Sequence, residues 1–356
     1  MIRLLARSVR SAVLHPGHAV LLVALLVACT SEREVPENIV LGVNFVGMVV
    51  SDLDASSALY QRAADLAPVA DDAPDFEQLL IALSGGSVAA VDTRMLVGIN
   101  AQLRLMAFQA DGDMPDSPPV PVNGPGIAHV CYQVAASTQA YQRFLDGGAS
   151  SIGAREMVTL NARNPVQYAY AHDPDGILIE VEHVDVDRLE ASRRPPHRYR
   201  VRHVSLATPD MDRAVAFYAQ LLAQPEPRRI GNWFGIGGDK FDQVSGLRDT
   251  RIEMAWFQTR NLELEIVEYR SHPPQVPASS RSLSALGYNM IVFEVADISS
   301  ARARVLAAGG EVLGDPRPLD GGEVLFARDP DGNLLGFQRL PATALASSRN
   351  FEGNGT

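Results

Sequence analysis

The chain repeats itself, and the repeat limits what it can fold into more than any other feature. Ser51-Asp52-Leu53-Asp54 running on to Leu59-Tyr60 is matched by Pro209-Asp210-Met211-Asp212 running on to Phe217-Tyr218, an offset of 158 residues. Asp173-Pro174-Asp175-Gly176 returns as Asp329-Pro330-Asp331-Gly332, an offset of 156. A near-constant offset over most of the chain signals tandem duplication, so the fold must be built from copies of one supersecondary unit.

Each half reads as two such units. Residues 43–50, 127–134, 201–208 and 289–295 are apolar or alternating, as strands are. Each leads into a helical pattern, at 55–66, 137–145, 211–222 and 298–308. Gly147-Gly148 and Gly309-Gly310 look like helix stops, because glycine accepts the left-handed conformation there. Shorter strands are expected at 167–171, 177–182, 251–257, 262–269, 323–327 and 334–339. Both Asp-Pro-Asp-Gly tetrapeptides predict hairpin turns: proline presets one backbone angle and glycine takes the positive one. Stretches rich in Pro, Gly and Ser at 110–126, 193–197 and 271–284 read as linkers, and 341–356 as a polar, disordered tail.

Residues 1–28 read as a signal peptide: Arg3, Arg7 and Arg10 precede an apolar run at 19–28 too short to span a bilayer comfortably. Leu26-Val27-Ala28-Cys29 resembles the lipobox of bacterial lipoproteins. The resemblance implies cleavage before Cys29, its acylation, and a lipid anchor on a tether at 29–40. Thr30-Ser31 places no aspartate after the cysteine, which favours the outer membrane, facing the periplasm.

Losing residues 1–28 removes three arginines and no acids, taking the formal charge from −11 to −14. Such a chain lacks the Lys/Arg patches that nucleic acid demands. Only Cys131 remains after Cys29, so no internal disulfide is available, and Cys131 in its apolar strand reads as a small buried hydrophobe.

A strand, a helix and three further strands, four times over, resembles the vicinal oxygen chelate superfamily. That superfamily holds glyoxalase I, the extradiol dioxygenases, methylmalonyl-CoA epimerase and the bleomycin and fosfomycin resistance proteins. His203-Val204-Ser205-Leu206-Ala207-Thr208-Pro209-Asp210 running to Phe217-Tyr218 is similar to the family's opening strand and helix. Asp173-Pro174-Asp175-Gly176-Ile177-Leu178-Ile179-Glu180 is similar to its closing hairpin. The resemblance implies an α+β fold: four βαβββ modules forming two glyoxalase-like cupped-sheet domains, over 41–185 (modules one and two) and 198–340 (modules three and four). It also implies a metal on a concave face, held by the first and last strands of the modules.

Carried over residue by residue, the ligand positions hold His129 and Glu180 in module two, and His203 and Glu265 in module three. Modules one and four hold Phe45, Met106, Met290 and Gly336 instead. This sorting favours modules two and three sharing one complete site over pairings within each half. Glu182 competes with Glu180, and Glu263 with Glu265, since residues two apart share a strand face. Two imidazoles and two carboxylates suit one divalent ion such as Zn, Ni, Fe or Mn. Glu180 or Glu265 would then serve as base towards a small oxygenated substrate, in a lyase or isomerase of glyoxalase type. A non-catalytic binding or scaffold lipoprotein and an extradiol-type dioxygenase are the alternatives. Tyr168 and Tyr170 share a strand face and could line the cup, although core or rim packing is the simpler role. His172 and His183 belong at strand edges or loops.

Overall fold

The computed structural model describes residues 38–69, 74–109, 118–276 and 281–355. The signal peptide, Cys29 and nearly all of the tether lie outside them. The four modules form where the repeats place them. Module one is β1 (Val40–Val49), α1 (Leu53–Ala64), β2 (Ala67–Pro68), α2 (Pro74–Leu83), β3 (Ala90–Val97) and β4 (Gln102–Gln109). Module two is β5 (Gly126–Ala135), α3 (Ala140–Asp146), β6 (Ser150–Ile152), β7 (Val166–His172) and β8 (Leu178–Val184). Module three is β9 (Tyr199–Ala207), α4 (Met211–Leu221), β10 (Arg228–Ile230), β11 (Ile236–Gly237), α5 (Asp239–Ser245), β12 (Arg251–Gln258) and β13 (Glu263–Tyr269). Module four is β14 (Gly287–Val295), α6 (Ile298–Ala307), β15 (Glu311–Val312), β16 (Arg317–Leu319), β17 (Gly322–Arg328) and β18 (Leu334–Arg339). The fold is α+β, with helices and strands alternating as the periodicities require.

The helices start where short acids can cap them. Asp52 accepts from the backbone N–H groups of Asp54 and Ala55, Asp210 from that of Arg213, and Asp297 from that of Ser300. Each cap satisfies donors the helix cannot, an effect worth about 1 kcal/mol. Both Asp-Pro-Asp-Gly turns form, with φ of +77° at Gly176 and +86° at Gly332.

Neither sheet coincides with one half of the sequence. The first runs β15-β17-β18-β14-β1-β4-β3-β2 and joins modules one and four; the second runs β10-β12-β13-β9-β5-β8-β7-β6 and joins modules two and three. The expected domains 41–185 and 198–340 are therefore not the two cups, because each half gives one module to each sheet. The junctions are the antiparallel pairs β1–β14 and β5–β9.

The halves cohere through their helices instead. Tyr60 on α1 donates its hydroxyl proton to Asp173 at 2.9 Å, and Tyr218 on α4 does the same to Asp329 at 2.8 Å. The helix-facing sides of both sheets and α1, α3, α4 and α6 share one continuous core, including Leu59, Phe144, Phe217 and Val305.

The tail is ordered, contrary to its polar composition. Ser347 and Ser348 donate to the fully buried Glu294 at 2.8 and 2.6 Å, and Arg349 pairs with it at 2.7 Å. A buried carboxylate must be hydrogen-bonded or paired, and here the tail supplies its partners.

Candidate metal centre

The second sheet brings four side chains from four neighbouring strands to one point. β13, β9, β5 and β8 lie side by side. Along each, alternate residues face opposite sides. Ile179 and Val181 of β8, Val204 and Leu206 of β9, and Leu264 and Ile266 of β13 enter the core. Their neighbours Glu180, His203 and Glu265 therefore turn to the concave face. On β5, His129 lies opposite Ser205 and Cys131 opposite His203.

All four residues are buried, at 2% (His129), 6% (Glu180), 2% (His203) and 4% (Glu265) exposure. Their donor atoms lie within 4.8 Å of one another. His129 Nε2 and His203 Nε2 are 3.2 Å apart, and Glu180 Oε2 is 3.1 and 2.9 Å from them. Glu265 Oε2 stands 3.7 Å from His129 Nε2 and 3.4 Å from His203 Nε2. Ligands at about 2.0–2.2 Å from an ion, set at roughly right to tetrahedral angles, lie about 3–3.5 Å apart. The donor spacing thus fits one divalent ion, and the donor set suits a borderline metal. One carboxylate oxygen facing two imidazole nitrogens at hydrogen-bonding distance is otherwise a crowded use of buried lone pairs.

Electrostatics support the same grouping. Burial favours the neutral form of Glu180, but hydrogen bonds to His129 and His203 overcome it and hold the carboxyl well below the usual carboxylate range. Burial pushes His203 down, yet Glu265 and Glu180 raise it above its ordinary value. The Nδ1 atoms of both histidines are buried without a hydrogen-bond partner among the described residues. Ring packing orients His129 instead: it lies 5.1 Å from Tyr170 and 5.4 Å from His203, centroid to centroid.

The competing acids are engaged elsewhere. Glu182 pairs closely with Arg202 and accepts from Gln133 at 2.5 Å. Glu263 accepts from Arg202 and Arg228, each at 3.3 Å. Cys131 is buried, and desolvation, reinforced by Glu180 and Glu182, pushes its thiol well up, so it stays protonated. His183 is a structural residue: it accepts the backbone N–H of Tyr141 at 3.3 Å, and burial lowers its pKa to about 4. His172 ends β7, half-buried, and burial lowers its pKa too.

Beside the cluster opens a cavity of 410 Å³, mostly apolar, reached by Glu180, His203 and Glu265 and walled by Tyr168, Tyr170, Met254, Trp256 and Tyr269. Both tyrosines of β7 thus line the cup. Arg202 and Arg228 complete the wall, with Arg228 stacked 3.8 Å over Trp256. Sequence reading missed both arginines; the alternation that marks Glu263 and Glu265 also puts Trp256 across from Glu265.

Among the described residues the first sheet carries no such site. By strand register, Phe45, Met290 and Gly336 take the places of His129, His203 and Glu265. The counterpart of Glu180 is not Met106 but Arg104, since Gly47 pairs with Arg104 as Cys131 pairs with Glu180. Module one has no Asp-Pro-Asp-Gly turn to anchor the alignment, and the sequence reading slipped by two residues. That cup is filled by Phe45, Phe76, Leu80, Met106, Met290 and Phe326.

A mixed, curled sheet of paired βαβββ modules is a glyoxalase-type fold, present here twice, and one of the two cups holds the His/Glu cluster. Residues 200–337, modules three and four, match the Glyoxalase/Bleomycin resistance protein/Dioxygenase superfamily. Glyoxalase I from Zea mays is similar in fold, at 18% identity over 84% of this chain and 92% of its own, with a TM-score of 0.56. So is a dioxygenase-like protein from Bacillus subtilis, at 9% identity over 85% and 86%, with a TM-score of 0.53. At these identities the likeness is one of fold. No curated protein matches in sequence.

Proposed function

We propose that the cup of modules two and three is a divalent-metal site of a glyoxalase-type lyase or isomerase acting on a small oxygenated substrate. The observation that carries this is the convergence of the His129, Glu180, His203 and Glu265 donor atoms beside a 410 Å³ cavity that Glu180, His203 and Glu265 line. These four residues would hold Zn, Ni, Fe or Mn, which would polarise a substrate carbonyl. Glu265 stands farther from both imidazoles than Glu180 does, and so has the greater freedom to take a proton on its Oε atoms and return it. Tyr168, Tyr170, Trp256 and Tyr269 exclude water from the reacting atoms. Arg202, fixed by Glu182 and Glu263, holds its wall in place.

Metal content by mass spectrometry tests the reading, on protein purified without chelators. About one equivalent per chain, with turnover of α-ketoaldehydes, is the expected result. Metal with turnover of catechols instead would assign dioxygenase chemistry. No metal after reconstitution with all four ions would leave a binding or scaffold protein of the same fold.

For the N-terminal segment we propose acylation of Cys29 and anchoring to the outer membrane, the protein facing the periplasm. Incorporation of labelled palmitate, lost in Cys29→Ala, is the expected result.

A further inference from the structure

One wall of the cavity beside the metal cluster is a segment held by very few bonds. Between β6 and β7 the chain runs as a loop over 153–165. Its first half is pinned. The backbone N–H of Ala154 donates to Gln243 of α5 at 2.7 Å, and Val158 exchanges two backbone hydrogen bonds with Tyr168, at 2.8 and 2.9 Å. At the far end the carbonyl of Pro165 accepts from the backbone of Asp185 at 2.9 Å.

The stretch 159–164 lies between those pins. Its internal bonds, from the backbone of Arg163 and Asn164 back to Asn161, tighten a turn without tying it to a neighbour. Residues 161–164 are exposed, while half-buried Leu160 packs beside Val158, Tyr170 and Val244. Leu160, Asn161 and Asn164 nevertheless line the cavity that Glu180, His203 and Glu265 reach.

A single side chain holds this stretch from outside. Lys240, near the start of α5, donates from Nζ to the carbonyl of Thr159 at 2.5 Å and more loosely to that of Leu160 at 3.5 Å. Among the described residues no other hydrogen bond joins 159–164 to another element. The helix that carries the lysine is itself anchored, because Asp242 accepts from the backbone of Asp249 and Thr250 at 2.8 Å each. The loop belongs to module two and α5 to module three, so the bond spans the same junction as the metal cluster.

We infer that 159–164 is a flap that opens to admit ligands to the metal cavity, and that Lys240 is its latch. The inference rests on the metal-site reading proposed above. A segment with few buried contacts and one exposed tie opens locally at small cost, and loops of this kind gate entry to reacting centres. Opening would uncover the wall that carries Trp256, whose side chain is 7% exposed when the flap is closed.

Acrylamide quenching of Trp256 tests the latch without any metal. The chain has two tryptophans, and Trp233 is 81% exposed, so Trp233→Phe leaves Trp256 as the sole reporter. In that background Lys240→Ala should raise the quenching of Trp256 severalfold. Lys240→Arg, which keeps the charge and the donors, should stay near the parent value. Acetylation of the folded protein should reproduce the rise, since Lys240 is the only lysine in the chain. Withdrawal by EDTA of zinc loaded on the full chain then tests the gate. Lys240→Ala should speed it about 10-fold, the effect of one hydrogen bond to a charged group, with the zinc stoichiometry unchanged. Unchanged quenching in Lys240→Ala, or a Lys240→Arg chain as open as Lys240→Ala, would overturn the latch. Stronger quenching with zinc withdrawn at the parent rate would overturn the gate. A parent chain that retains no zinc would sink the metal reading instead, and the quenching would still decide whether Lys240 latches the flap.

Discussion

Arg104 and Glu180 hold the same place in the two sheets. Arg104 is paired across β1–β4 with Gly47 as Glu180 is paired across β5–β8 with Cys131. One position thus carries a buried carboxylate beside two imidazoles. The other carries a fully buried guanidinium, 3.2 Å from Asp320 and lying over the rings of Phe45 and Phe76 at 4.9 and 4.3 Å. One sheet concentrates negative lone pairs that call for a cation, while the other supplies its own cation and closes over it.

Because both imidazoles serve one site, either His129→Ala or His203→Ala should abolish metal retention, while Met290→Ala should leave it intact. Metal analysis of the three variants after identical purification checks this. Half-occupancy in either histidine variant would mean two separate sites.

Arg202 neutralises Glu182, which is only 1% exposed. Removing one partner of a buried pair strands the other's charge, so Arg202→Ala should lower stability by about 3 kcal/mol. Adding Glu182→Gln should recover part of the loss. Urea unfolding of the single and double variants measures both.

Burial pushes Asp173 and Asp329 from near 3.8 up to about 6. The fold therefore favours their protonated forms. That contribution is complete below about pH 4 and is lost as pH rises through about 6, on the order of 2–3 kcal/mol per acid. Stability should fall across this window in the parent chain. The fall should flatten in Asp173→Asn with Asp329→Asn, as read from denaturation midpoints at each pH.

A side chain at Gly336 would collide with its neighbour, since a Cβ there would sit 2.8 Å from Val292 Cγ2. Gly336→Ala should cost about 1–3 kcal/mol through overpacking, seen as a lower melting temperature. The ligand position cannot be restored in this cup by one substitution.

Glu294 depends on the tail for its hydrogen bonds. Arg349→Ala should cost about 1.5–3 kcal/mol, the range for a hydrogen bond to a charged group, and truncation after Leu340 should cost more. Thermal melts of both forms test the order.

What the sequence determined by itself was whatever depends on local chemistry and on comparing one copy with another. The Asp-Pro-Asp-Gly turns and the period-two strands are readable because each is set within a few residues, and the duplication because its copies can be laid side by side. His129, Glu180, His203 and Glu265 could be named because the resemblance to the vicinal oxygen chelate superfamily marks the ligand positions and the repeats show which modules keep them. The sorting of ligand residues favoured the pairing of modules two and three, and the tertiary structure decided it by which edges meet. Hydrogen bonding between β5 and β9, whose paired residues lie 65 to 81 positions apart, joins modules two and three and completes the cluster. No local pattern distinguishes that pairing from its rivals, because every module offers a similar edge. The same limit hid Arg104 and the tail: a buried charge is identified by the partner that reaches it, Asp320 in one case and Glu294 in the other, and those partners lie 216 and 55 residues away.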